Sequence, residues 1–349
     1  MTEVYGYTAP GFDAVRTEFS GAVAESAQLA VYRHGELVVD LWTAEDNTLT
    51  SVFSVSKGAA FLVVALLVQE GRLELDAPAR SLPFPLTVRE LLGHRAGLVG
   101  VAGVLTIEEA ADDTVLAARL LRQKPFWEPG TATGYHGRTI GALIDAELRV
   151  VTGRSLREWY DERLRNPYGI ELFLGLPEDR EPDFRPVLPA PGPPFVPEPG
   201  SLHDVAFGSF DLVDFGNSRA AHAGGQAAAG GVGSARGVAR MYAAAIGPLD
   251  GRPALLHPET IREFATPYSL GVDLIIGEPD HYALGFENPA TTMPWAGPDT
   301  LGHSGAAGAL GWGDAGSGIA YGYVRRRFGG PDTSGLAAAV SAAAVSAAG

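Results

Sequence analysis

Apolar positions Phe12, Val15, Phe19 and Val23 recur at helical spacing and predict a first amphipathic helix over residues 10–25. Leu29-Ala30-Val31-Tyr32 and Leu37-Val38-Val39-Asp40-Leu41-Trp42 then flank His34-Gly35-Glu36, the pattern of an antiparallel hairpin. Val52-Phe53 lead through Ser54 into Gly58–Val68, eleven apolar residues with no polar face, which reads as a helix buried on all sides and closed by Gly71 as its C′ residue. That run is far short of the roughly twenty residues a bilayer requires.

From about 72 to 245 the periodicity is mostly helical. Thr87-Val88-Arg89-Glu90 opens a short helix with a capping-box pattern. Thr106 to Arg122, Arg138 to Val151, Ser155 to Arg165 and a helix capped by Ser234 and running to Ala245 follow. Nine prolines between residues 177 and 199 interrupt them and predict an irregular loop. Strand-like text returns at Tyr282–Phe286, Thr300–His303 and Ile319–Val324, and an alanine-rich helix at about 334–348 ends the chain.

Strands near both ends with helices outside them imply an α+β fold. One antiparallel sheet would be flanked by the N- and C-terminal helices, with a mostly helical second lobe inserted. The expected division is 1–71 with 246–349 for the sheet lobe and 72–245 for the helical lobe. No internal repeat is found.

Composition narrows the function. The formal charge of −15 repels phosphate backbones and anionic lipid, so no nucleic-acid or membrane partner is expected. The chain has no cysteine, which removes disulfides, thiolate catalysis and Cys-based metal sites. The eight histidines show no H-x-x-x-H or H-E-x-x-H spacing, so no metal site and no cofactor is expected. Neither a basic nor an apolar leader segment opens the sequence, and a cytoplasmic location is the expectation.

Only two residues are lysines against 24 arginines, and one of them, Lys57, stands three positions after Ser54. Lysine, unlike arginine, can be neutralised by burial and then accept a proton. An i,i+3 separation at the head of a buried helix puts hydroxyl and amine on one face. The helix N-terminus favours a developing oxyanion and disfavours a charged amine. Ser54 and Lys57 therefore read as nucleophile and general base. Tyr135, in a glycine-bracketed loop just before a helix, is a candidate partner that can project into a cleft. Leu301-Gly302-His303-Ser304-Gly305-Ala306 is a glycine-bracketed strand edge that lets substrate approach the backbone and offers the Ala306 N–H as a donor. His136, His303, Gly305, Phe126, Trp127 and Trp312 are the expected pocket residues.

In this order the elements resemble the serine β-lactamase and penicillin-binding-protein superfamily, most closely class C β-lactamases and family VIII carboxylesterases. The resemblance runs from about Gln28 to Val324. It includes Phe53-Ser54-Val55-Ser56-Lys57-Gly58, Leu86-Thr87-Val88-Arg89-Glu90-Leu91-Leu92-Gly93-His94-Arg95-Ala96-Gly97-Leu98, Trp127-Glu128-Pro129-Gly130, Gly134-Tyr135-His136, Val151-Thr152-Gly153-Arg154-Ser155 and Asn217-Ser218-Arg219. It implies Ser54 as nucleophile, Lys57 as base, Tyr135 as second proton-transfer residue and an oxyanion hole from the N–H groups of Ser54 and Ala306.

Two departures stand out. Tyr135-His136-Gly137 replaces the Tyr-x-Asn of the β-lactamases, and His303-Ser304-Gly305 replaces their Lys-Thr-Gly. Both remove groups that hold a β-lactam and leave acyl chemistry in place, which points to short-chain ester hydrolysis. A β-lactamase or D-Ala-D-Ala peptidase-like amide hydrolase is the enzymic alternative, and a catalytically silent binding protein of the same fold is the other. An α/β-hydrolase reading of Gly302-His303-Ser304-Gly305-Ala306 fails, because that fold needs a later histidine and none follows His303. The expected partners are a small ester and water; the sequence sets neither acyl-chain length nor oligomeric state.

Overall fold

The computed structural model describes residues 3–22, 26–45, 48–192, 196–268, 271–279, 281–291, 293, 295–329 and 334–346. Six strands form one antiparallel sheet: β1 Tyr5–Thr8, β2 Ala27–Arg33, β3 Glu36–Trp42, β7 Thr300–Ser304, β8 Leu310–Asp314 and β9 Ile319–Arg325, in the order β1-β3-β2-β9-β8-β7. The two chain ends meet where β2 pairs with β9. β4 Thr50–Ser51, β5 Leu172–Phe173 and β6 Val232–Gly233 form a small second sheet in the order β4-β6-β5.

Strand alternation sorts side chains to two buried faces. Leu29, Val31, Val39, Trp312, Tyr321 and Tyr323 face Phe12, just before the helix Asp13–Ala22, Val15 and Phe19 within it, and Leu336 and Val340 of the helix Ser334–Ser346. Ala30, Tyr32, Ala320 and Val324 face the other way, into a core shared with the helices Ser56–Gln69 and Ala235–Ile246. The latter lies close against the sheet because two facing positions are glycines. A Cβ at Gly322 would stand 2.3 Å from the Ala235 carbonyl oxygen, and one at Gly311 would stand 2.5 Å from Val238. This helix sits on the sheet, although the boundary expected at 245 assigns it to the helical lobe.

The hairpin, the buried helix with Gly71 in a left-handed conformation just past it, and the capping box at Thr87 lie where the sequence indicates, and the helices expected from Thr106 and Ser155 prove to open on capping boxes too. Three readings change. The helix expected over 106–122 is two helices, Ile107–Ala111 and Asp113–Leu120, because Asp112 turns extended and caps the second by accepting from the N–H of Thr114 and Val115. Tyr282–Phe286 is not a strand: it is a loop turned by Gly285 at φ 84°. Residues 177–199 contain a short helical turn, Glu178–Asp183, and bridges Leu49–Phe184 and Leu188–Arg327 that tie the segment down. Residues 23–25 of the expected first helix, 193–195 of the proline-rich loop and 347–348 of the last helix lie outside the described residues. Among the described residues no helix is long and apolar enough to cross a membrane.

Candidate active site

Ser54 stands in the single turn Phe53–Val55 that joins β4 to the buried helix. Phe53 takes φ 47°, a left-handed conformation that costs a bulky residue on the order of 1–3 kcal/mol and persists only where its surroundings enforce it. Those surroundings are visible. The Phe53 ring is buried edge-on against Phe328, with centroids 5.2 Å apart. Val52 N–H donates to the Gly231 carbonyl at 3.0 Å, and Ser56 Oγ donates to the Phe53 carbonyl while accepting from Gly231 N–H. The strained turn leaves Ser54 only partly buried, on the wall of a cavity of about 450 Å³.

Two side chains converge on the Ser54 hydroxyl. Lys57 Nζ and Tyr135 Oη each lie 3.0 Å from Oγ. Lys57 is fully buried, and its amine also reaches the carbonyls of Gly137 (2.6 Å) and Ala228 (2.8 Å). A neutral amine has two N–H bonds and one lone pair. With the N–H bonds spent on the two carbonyls, the lone pair is left for the Ser54 hydroxyl. Burial lowers the Lys57 pKa to about 7, and the negative charge of Glu287 keeps it from falling further. The carbonyl-bearing segments are joined to each other: buried Gln226 donates to the Arg138 carbonyl and accepts from Ala229 N–H at 2.7 Å.

Tyr135 is held by its neighbours. Its ring stacks on Tyr282 at 5.2 Å and nearly parallel, with His303 at 6.1 Å and His94 edge-on at 5.4 Å. Burial first, and then the charge of Glu287, push its pKa above the ordinary phenol value, so it is a neutral donor at any working pH. Opposite, Gly305 closes the gap between β7 and the Ser54 turn, since a Cβ there would lie 2.4 Å from the Val52 carbonyl oxygen. Ala306 follows it into the cavity wall. Among the described residues, neither the Ser54 nor the Ala306 backbone N–H has an acceptor, and both residues line the cavity.

The other expected pocket residues lie elsewhere. Trp312 points to the far face of the sheet, stacked on Tyr321 at 5.4 Å under the terminal helices. His136 is buried behind the site, bonded to the Gly134 carbonyl and accepting from Leu98 N–H, and burial pushes its pKa down to about 4. His303 is buried beneath Tyr135 with its pKa also near 4, again through burial, against the opposing pull of Glu287. Phe126 and Trp127 back Tyr135 rather than face the cavity. What lines it instead is Phe53, Phe207, Leu212, Ile276, Met293 and Leu310, with Arg138, His281, Glu287 and Ser304 as polar members. Apart from Phe53, which adjoins Ser54, they come from elements far apart in the chain, so no local pattern groups them. Gly137 has no room for a side chain: a Cβ would stand 2.7 Å from the Phe207 ring. Phenylalanine 207 thus occupies the space an asparagine at 137 would need. Among the described residues no group of three or more His, Asp or Glu could hold a metal ion.

The family model named Beta-lactamase matches residues 14–345. The esterase/β-lactamase LipL of Mycobacterium tuberculosis is 28% identical across 93% of this chain and 83% of its own length. The structure of EstA from Arthrobacter nitroguajacolicus Rue61a superposes with a TM-score of 0.91 at 37% identity, covering 98% of this chain and 99% of that one. A family VIII carboxylesterase superposes at 0.86 with 27% identity, covering 99% of both chains. With the match running nearly end to end, this chain belongs to the beta-lactamase family and is a hydrolase of the serine β-lactamase superfamily.

Proposed function

We propose that this protein is a carboxylesterase that cleaves short-chain esters through an acyl-enzyme on Ser54. The observation that carries the reading is the convergence of Lys57 Nζ and Tyr135 Oη on Ser54 Oγ, each at 3.0 Å, with both amine N–H bonds committed elsewhere. The apolar cavity walls suit short acyl and alcohol groups. The missing cation at 303 and amide at 137 favour esters over β-lactams, as does the likeness to EstA and the family VIII carboxylesterase.

In this mechanism Ser54 Oγ attacks the ester carbonyl as its proton passes to Lys57. The tetrahedral oxyanion is held by the N–H groups of Ser54 and Ala306, a contribution of about 10²–10³ in rate per donor. The C–O bond to the alcohol then breaks, and the proton taken by Lys57 returns through Tyr135 to the leaving oxygen. Water repeats the sequence on the acyl-enzyme, giving the acid and restoring Ser54.

The test is hydrolysis of 4-nitrophenyl acetate and butyrate against nitrocefin, with Ser54→Ala as control. Ester turnover lost in the variant, with nitrocefin turned over feebly, is the expected result. Strong nitrocefin turnover with feeble ester turnover would favour the amide hydrolase, and none at all the silent binding protein.

The pH profile follows from the Lys57 pKa of about 7. The reactive form is the neutral amine, whose fraction falls tenfold per unit below that pKa and saturates above it. For 4-nitrophenyl butyrate, kcat/KM should climb with pH, bend near 7 and level off. A profile flat from about pH 5.5 to 8.5 would remove Lys57 as the titrating base.

A further inference from the structure

Glu287 is the one carboxylate among the described residues lining the cavity. It follows Phe286 in the loop before β7, with 16% of its side chain exposed. Both of its oxygens are pinned by the residue next to the Gly305–Ala306 edge: Oε2 accepts from Ser304 N–H at 2.8 Å and Oε1 from Ser304 Oγ at 2.7 Å. Its Oε1 is also 3.3 Å from His303 Nδ1. Burial alone would raise its pKa; His303, Ser304 and His281 outweigh that and hold it below the usual carboxylate range, so it is ionised. Lys57 is neutral above about pH 7 and His303 above about 4. The cation bordering the cavity, Arg138, lies on the Phe207–Phe210 side, with one nitrogen bonded to those two carbonyls and the others sealed from solvent.

We propose that Glu287 makes this an anion-excluding site, so that the substrates are uncharged or cationic esters and a carboxylate beside the scissile bond is rejected. The inference rests on the esterase reading above and names its substrate class. Two like charges about 6 Å apart at an effective dielectric of about 20 repel enough to lower binding roughly 100-fold. Solvent in the half-open wall reduces this, and a penalty of at least about tenfold is expected.

The test compares charged and neutral partners of similar size at pH 8, above the Lys57 and His303 pKa values. On the acyl side the pair is mono-4-nitrophenyl glutarate and 4-nitrophenyl valerate; on the alcohol side it is 4-butyryloxybenzoate and 4-butyryloxybenzamide. At least one anion should fall tenfold or more below its neutral partner in kcat/KM, and Glu287→Gln should shrink that gap to within threefold. A merely structural role for Glu287 would lower both members of a pair together and leave their ratio unmoved. Anions turned over within threefold of their partners, or a gap unchanged in the variant, would overturn the proposal. Failure of the neutral esters themselves would strike the esterase reading instead. In that case, or if the variant does not fold, inhibitor binding to the wild-type protein decides. 3-Carboxyphenylboronic acid should bind at least tenfold more weakly than its 3-carbamoyl analogue, and equal binding would count against Glu287.

Discussion

Lys57→Arg is expected to lose at least about 10³-fold in kcat/KM, as much as Ser54→Ala, and the double variant should lose no more than either alone. Arginine keeps the positive charge and can still donate to the carbonyls of Gly137 and Ala228, which now anchor the amine. What it cannot do is give up that charge and accept the Ser54 proton. A fixed cation in this fully buried position would also hold the serine hydroxyl as an acceptor, the wrong direction for attack. Guanidinium is bulkier than ammonium, so Lys57→Met serves as the companion variant: it keeps the stem, removes the amine and should fall to the same floor. Hydrolysis of 4-nitrophenyl butyrate and ethyl butyrate reads the effect, with the thermal midpoint checking that each variant is folded. Turnover by Lys57→Arg within tenfold of wild type would exclude Lys57 as the base, whatever the distance to Ser54.

The parts of this molecule legible in the sequence are those fixed by near neighbours. Ser54 and Lys57 are three residues apart on one turn, so their meeting needs only the helix that Gly58–Val68 announces. Thr87 and Ser234 cap their helices with bonds that span three residues. β8 is harder to read, since Leu310-Gly311-Trp312-Gly313-Asp314 has glycines where a strand usually shows branched residues; they are there because Val238, Tyr242 and Ile246 press on that face. Trp312 packs instead with Trp295 and Tyr321 under the terminal helices. His136 and His303 adjoin the site in sequence yet turn behind it, His303 stacked on the Tyr135 ring and His136 against His94 and Trp127. Glu287, in a loop, and Phe207, at the end of the helix Leu202–Phe207, stand 80 residues apart, and only tertiary packing brings them to the Ser54 cavity. The Ser54–Lys57 pair is local and therefore visible; Tyr135, 81 residues away, and the cavity walls meet it only through tertiary packing.

Tyr135→Phe should separate two kinds of substrate. The phenol donates to Ser54 Oγ while that hydroxyl faces the Lys57 lone pair, giving a chain from Tyr135 through Ser54 to Lys57. Because burial and Glu287 keep the phenol protonated, it cannot begin the reaction as a base; its value lies in passing a proton to the departing alcohol. An alkyl alkoxide needs that proton as the bond breaks, whereas 4-nitrophenolate departs without it. Loss of the hydroxyl should therefore cost ethyl butyrate about 10²–10³-fold in kcat/KM and 4-nitrophenyl butyrate only about tenfold. The ring keeps its stacking on Tyr282 and its edge contact with His94, so the thermal midpoint should stay near that of the wild type. Equal losses on both esters would instead make Tyr135 a group that orients Ser54 for attack, because a defect in attack is felt before the leaving group matters. No loss on either would leave Lys57 alone to carry the proton both ways, across the same 3.0 Å it spans to Ser54.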